Sequence, residues 1–205
     1  MSTDLSADRR ADPSADLNDP LRHLRDVIYL PSPLFARLSG PDLGPGLGPD
    51  GTGPGPATAL GGGVLLHADP ASVIRGHWAG PAGRLLEIAA RIEAPGNWFA
   101  LHIPLPGLSD LGGAGWIGLI ARTSADATCA LRPCLRSGLA AGGFRDDFLP
   151  RHILAGPRVS DHCDTLAPAH LPDLAPVAPW RELVLFLPAA ASFHLMLHDL
   201  RIFRL

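Results

Sequence analysis

From Val64 onward, short runs dense in Leu, Ile, Val and Phe alternate with stretches of Gly, Pro, Asp and Ser. Apolar runs bounded by turn residues read as β-strands. The clearest pair closes the chain. Trp180-Arg-Glu-Leu-Val-Leu-Phe-Leu ends at Pro188, which cannot donate to a ladder. A small-residue turn, Ala189 to Ser192, leads into Phe193 to Leu205. As a strand, this last run places Phe193, Leu195, Leu197, Asp199, Arg201, Phe203 and Leu205 on one face. His194, Met196, His198, Leu200, Ile202 and Arg204 fall on the other. Both faces are apolar in the middle, as in a central strand covered on two sides. A helix is the rival reading of 193–205, but its aromatic and branched content and the preceding strand favour β.

Further strands are expected at Val64 to His67, Ser72 to Trp78, Trp98 to Leu105, Trp116 to Thr123 and Thr128 to Arg136. Pro133 marks the last of these as an edge or bulged strand. Arg84 to Glu93 fits strand or helix, and the short strands around it favour strand. Phe144 to Leu154 reads as strand, loop, strand, and the Pro-rich residues 155–179 as mostly irregular. Many short strands without interleaved helices, and no internal repeat, predict an all-β fold. Over residues 64–205 the expectation is a jelly-roll-like antiparallel β-sandwich.

The N-terminal third differs. Residues 1–39 form an arm whose first eighteen positions are polar and acidic and are expected to be disordered. Asp19-Pro20 then resembles an N-cap with proline at the first helical position, and Leu21, Leu24 and Ile28 recur at helical spacing. A short amphipathic helix up to Tyr29 would either pack on the domain or dock a protein partner through 19–38. Residues 40–63 are a Gly/Pro-rich linker. No Gly-Lys-Ser/Thr follows, so this is not a phosphate loop.

Composition narrows the function classes. Hydrophobic residues make up 46% and charged residues 18% of the 205, enough apolar content for one domain with a core. All 17 basic residues are Arg, scattered along a chain of net charge −3, so there is no basic stripe and no nucleic-acid partner is expected. No apolar run is long enough to span a membrane. The N-terminus lacks an apolar signal region, which points to the cytoplasm or to surface display as part of an assembly. Cys129, Cys134 and Cys163 lack metal-ligand spacing and are expected as reduced thiols. No cofactor motif is present, and no local catalytic signature.

The ending Trp180-Arg-Glu-Leu-Val-Leu-Phe-Leu and His198-Asp-Leu-Arg-Ile resembles the closing strands of galactose-binding-like jelly rolls, the fold of many carbohydrate-binding modules. Trp98-Phe-Ala-Leu-His-Ile and Trp116-Ile-Gly-Leu-Ile-Ala-Arg fit the middle of such a sandwich. The resemblance covers residues 64–205 as a strand pattern, and it implies non-catalytic glycan or polysaccharide binding. A structural or assembly protein docking through its N-terminal arm, as in a surface spike or adhesin, is the alternative. A hydrolase using residues 161–164 is the third reading.

Candidate ligand-binding residues follow from chemistry. Each Trp is either a core anchor or a platform for the weakly apolar face of a sugar ring. Trp78, in the loop-like Gly76-His77-Trp78-Ala79-Gly80-Pro81, is the first choice, with His77 beside it; Trp116 reads as core. Arg145 and Asp146 could clamp sugar hydroxyls. Asp161 and His162, with Asp164, could contact a ligand or a metal if Ser160 to Thr165 is a loop. His194 and His198, four apart in a strand, lie too far from each other to share a metal ion.

Overall fold

The computed structural model describes residues 57–61, 63–79 and 85–205. The arm with its helix, the docking segment 19–38 and the linker up to residue 56 lie outside the described residues. Twelve strands run through the described chain: β1 (Ala57–Gly61), β2 (Val64–Ala68), β3 (Val73–Ala79), β4 (Leu86–Ala94), β5 (Phe99–Pro104), β6 (Ile117–Ala125), β7 (Cys129–Gly138), β8 (Phe144–Phe148), β9 (Ile153–Ala155), β10 (Ser160–Leu166), β11 (Arg181–Phe186) and β12 (Phe193–Arg204). β1 falls inside the stretch read as linker.

The strands form two antiparallel sheets. In the first the order is β1-β2-β5-β11-β7, with β8 and β9 both paired to the far side of β7; in the second it is β10-β6-β12-β4-β3. The chain changes sheet at seven of the eleven connections, which gives the jelly-roll-like sandwich that the strand pattern predicts. Alternation along each strand sends one set of side chains between the sheets. Phe99, Leu101, Ile103, Leu183, Leu185, Leu131 and Leu135 meet Ile74, Leu86, Ile88, Leu119, Leu195 and Leu197 there, all buried. Full burial of one such side chain contributes roughly 1.5–3 kcal/mol.

Two local irregularities have clear causes. β12 is central, between β6 and β4, as expected. A bulge between Leu197 and Asp199 then shifts its register against β6. Beyond the bulge the alternation resets, so Leu200 and Ile202 join Leu195 and Leu197 in the core. The facing sets expected from strict alternation therefore exchange at that point. Pro133 does not mark an edge. β7 pairs with β11 along one side, while on the other its partner changes from β9, opposite 129–131, to β8, opposite 134–138. Leu149 donates to the Pro133 carbonyl from that second side. The N–H that proline lacks points the same way, into the gap between the two short partners.

Asp69 positions the end of the first sheet. Its carboxylate accepts the backbone N–H groups of Ala71 and Asn97, each at 2.8 Å, tying the β2–β3 turn to the β4–β5 turn. Its own N–H donates to the Trp98 carbonyl at 2.9 Å. These backbone donors hold the Asp69 carboxyl below its ordinary pKa.

Candidate functional site

The first sheet has a second face, turned away from the core. On β5, β11, β7 and β8 the even-numbered residues point to it, and the register lines them up in rows across the strands. His102, Val184, Cys134 and Phe148 form one row; Ala100, Phe186 and Arg132 a second; Glu182, Arg136 and Asp146 a third. Ala100, Val184 and Cys134 are fully buried although they lie outside the main core, because Trp98, Phe148 and Phe186 pack around them. Small residues on the floor and large rings on the walls leave a trough. One depression of about 430 Å³ lies between Trp98 and Phe186 on one side and Arg136 and Asp146 on the other. A second, also about 430 Å³, continues past Trp98 and Phe186 to Arg132, Phe148 and the Gly96-Asn97 turn. Both fall in the range of small-ligand sites, about 300–1,000 Å³.

A connected polar row crosses the trough. Arg136 donates to both oxygens of Asp146, at 2.6 and 2.8 Å, and lies 3.7 Å from Glu182. His102 Nδ1 sits 2.9 Å from Glu182 Oε1. A carboxylate only accepts, so Nδ1 carries a proton, and in the neutral ring Nε2 is left as an acceptor. That Nε2 has no hydrogen-bond partner among the described residues, and His102 lines the first depression. The Arg136 guanidinium stacks 3.9 Å from the Phe144 ring centre, and Arg132 lies 3.6 Å from that of Phe148. His67 meets Trp98 edge to face at 4.8 Å. Burial works to lower the Arg136 pKa, but the Asp146 hydrogen bonds outweigh it and the net shift is upward. Burial, with the Asp146 charge nearby, pushes the Cys134 thiol well up, so the floor is neutral and unreactive.

The sequence-selected residues are dispersed. Trp78 is not in a loop: β3 extends to Ala79, and alternation turns the indole inward opposite Ile88, where it is 8% exposed and part of the core. His77 points the other way and is exposed on the outer face of the second sheet. Arg145 and Asp146 are neighbours on β8 and therefore face opposite sides. Asp146 enters the trough, while Arg145 turns back to Asp147 at 3.0 Å and Asp173 at 3.1 Å. Ser160 to Thr165 is not a loop but most of β10. Asp161 lies outside, in an exposed pair with Arg122 at 3.1 Å. His162 and Asp164 point inward, where burial holds the His162 pKa down and Asp164 accepts the Arg151 backbone N–H at 2.8 Å. Asp161, His162 and Asp164 do not converge, so the hydrolase reading loses its geometric basis. Among the described residues no group of three or more His, Cys, Asp or Glu could hold a metal ion.

Of the four Trp, Trp116 is 46% and Trp180 43% exposed, whereas Trp98 walls the trough. Trp116, expected in the core, sits just ahead of β6, paired to Leu205 through their backbones and edge to face with His170. His102, Arg136, Glu182, Phe148 and Phe186 carry no local motif. Their signal was the apolar and polar content on both faces of strands distant in sequence, which only the strand order brings together.

No family model matches the sequence, and a search of curated proteins found no match. Solved structures of similar layout include the CBM22-1 xylan-binding domain from Paenibacillus barcinonensis Xyn10C, with 12% identity over 72% of this chain and 83% of that one and a TM-score of 0.45. The family 11 carbohydrate-binding module from Clostridium thermocellum, in complex with a mixed-linked tetrasaccharide, has 8% identity over 71% and 90%, with a TM-score of 0.46. The enzymatically active domain of bacteriophage CBA120 tailspike protein 4 has 9% identity over 69% of this chain and 19% of that one, with a TM-score of 0.45. At such identities the likeness is to the sandwich alone.

Proposed function

We propose that the protein binds a glycan in the trough on the outer face of the first sheet. The observation that carries this reading is the pair Trp98 and Phe186, which wall both depressions, with Phe148 in the second and with His102, Arg136 and Asp146 of the connected polar row in the first. Sugars are amphipathic: their C–H faces stack on aromatic rings, and their hydroxyls need partners held in fixed directions. Rings locked by packing and charged groups locked by one another supply both without reorganisation.

Binding is favoured over hydrolysis by the same contacts. Hydrolysis of a glycosidic bond uses two carboxyl groups facing each other across the substrate. Here Asp146 is committed to Arg136 through both oxygens, and Glu182 to His102. The two acids flank one guanidinium rather than an open gap.

The test is a glycan-array screen of the purified chain beside Trp98→Ala and Trp78→Phe variants. The expected result is specific binding that Trp98→Ala loses and Trp78→Phe keeps. No binding by the parent chain, or binding indifferent to Trp98, would sink the reading.

A further inference from the structure

We infer that the ligand face continues past the trough to a second aromatic platform at Trp180, next to Phe144 at the trough's end, and that the protein therefore takes an extended stretch of an uncharged linear polysaccharide. This rests on glycan binding by the trough and deepens it.

Trp180 precedes β11 and points to the same outer face as Glu182, Val184 and Phe186. Its indole is packed on Gly138 of β7. A Cβ built on Gly138 would lie 2.5, 2.6 and 2.8 Å from Nε1, Cε2 and Cδ1 of the ring. Near-equal distances to three ring atoms place that point over the ring face, so the indole lies against the sheet with its other side open. The missing side chain of Gly138 permits that approach. Phe144 is the direct cross-strand partner of Gly138 on β8 and is 53% exposed. Two large exposed rings thus share one row, on the far side of the Glu182–Arg136–Asp146 row from Trp98 and Phe148.

The spacing sets the size of the ligand. From Arg132, at the second depression, to Gly138 is six positions along β7, or about 20 Å at a rise of about 3.3 Å per residue. That is longer than one sugar ring and suits a chain of several. The charges set its class. The Arg136 guanidinium is bound by Asp146 through two hydrogen bonds and stacks on the Phe144 ring, and Arg132 lies over the Phe148 ring. Across the face the two carboxylates, Glu182 and Asp146, stand against the two guanidinium groups, Arg136 and Arg132, so these four carry no net charge with which to select a sulfated or uronic chain.

The experiment is calorimetric titration of the full chain with cello-, xylo- and manno-oligosaccharides from the disaccharide to the hexasaccharide, and with oligogalacturonates. Parent, Trp180→Ala, Trp180→Phe and Phe144→Ala chains are compared, with thermal melts to verify folding. In at least one neutral series the parent affinity is expected to climb up to the longest member. Trp180→Ala should lose about tenfold on the hexasaccharide and nothing on the shortest member that binds, whereas Phe144→Ala, which removes a wall of the first depression, should weaken every length. Trp180→Phe should keep part of the gain. An equal loss at all lengths in Trp180→Ala, or none, would overturn the second platform while leaving the trough in place. Preference for oligogalacturonates would overturn the uncharged class. Failure of the parent to bind any series would overturn this inference together with the glycan reading.

Discussion

Arg136 and Asp146 face each other across the β7–β8 ladder and are joined by two parallel hydrogen bonds, while the guanidinium is sandwiched against Phe144. Both side chains are mostly buried, 14% and 22% exposed. Removing one partner of such a pair strands the other charge in a partly desolvated place. Asp146→Ala is therefore expected to cost about 2 kcal/mol of stability, read as a lowered midpoint in urea denaturation. Adding Arg136→Met should recover part of that loss, since the pair costs less when absent than when broken. Losses of Asp146→Ala and Arg136→Met that simply add in the double variant would show the pair to be energetically idle.

The same pair marks how far the sequence could be read. β2, β3, β5, β6, β7, β11 and β12 were legible because apolar alternation and flanking Gly or Pro are local signals. β10 was not. Its Asp161, His162 and Asp164 look like a polar loop, but an edge strand tolerates charge, and Asp164 is needed inside to hold the Arg151 backbone. Trp78 was misread for a related reason: Gly76 and Gly80 suggested a loop, whereas strand pairing with β4 buries the ring. The trough was beyond reach because β5, β11 and β7 are neighbours in space but not in sequence. Asp146 was picked out for its carboxylate. Its partner is Arg136 across the ladder, and the adjacent Arg145 must point to the opposite side.

The three thiols should separate cleanly by reactivity. Cys163 is exposed, whereas Cys129 and Cys134 are buried and both have raised pKa values because burial disfavours the thiolate. In the native chain a disulfide reagent such as DTNB is expected to label one Cys quickly, and in denaturant all three. Loss of the fast phase in Cys163→Ser would assign it; a fast phase surviving that change would contradict the burial of Cys129 in the core or of Cys134 on the trough floor.

Gly76 tests the second sheet. A Cβ there would lie 1.9 Å from the Ala89 carbonyl oxygen and 3.1 Å from the Ala90 Cα, both backbone atoms of β4. No rotamer relieves that contact, so the strands must part. Gly76→Ala is expected to cost at least about 2 kcal/mol. Gly115→Ala, whose nearest neighbour would be the Leu205 carbonyl at 3.6 Å, should stay within about 0.5 kcal/mol. Paired urea melts of the two variants decide the matter, and similar stabilities would refute the close β3–β4 approach.

His194 gives the fold an alkaline limit. Its Nε2 lies 2.7 Å from Glu87 of β4 and its Nδ1 2.9 Å from Asp126 of the β6–β7 turn, so one ring bridges two carboxylates. Carboxylates accept, and both ring nitrogens can donate only in the imidazolium. Burial pulls the His194 pKa down, but its hydrogen bonds to Asp126 and Glu87 outweigh it, and the net shift is upward. A His whose folded pKa exceeds its unfolded value of about 6.5 binds its proton more tightly in the folded chain. Its stabilising contribution is complete below about pH 6.5 and disappears as pH rises through the raised folded value. His162 acts in the opposite sense, since burial depresses its pKa and favours the fold only above the unfolded value. It is present in both chains to be compared and cancels between them. Thermal melts of the parent and of His194→Gln at about pH 6 and about pH 8.5 isolate the effect. The parent should be the more stable at the lower pH and should lose that advantage at the higher one. A gap independent of pH would mean that the ring spans the two carboxylates without carrying the charge.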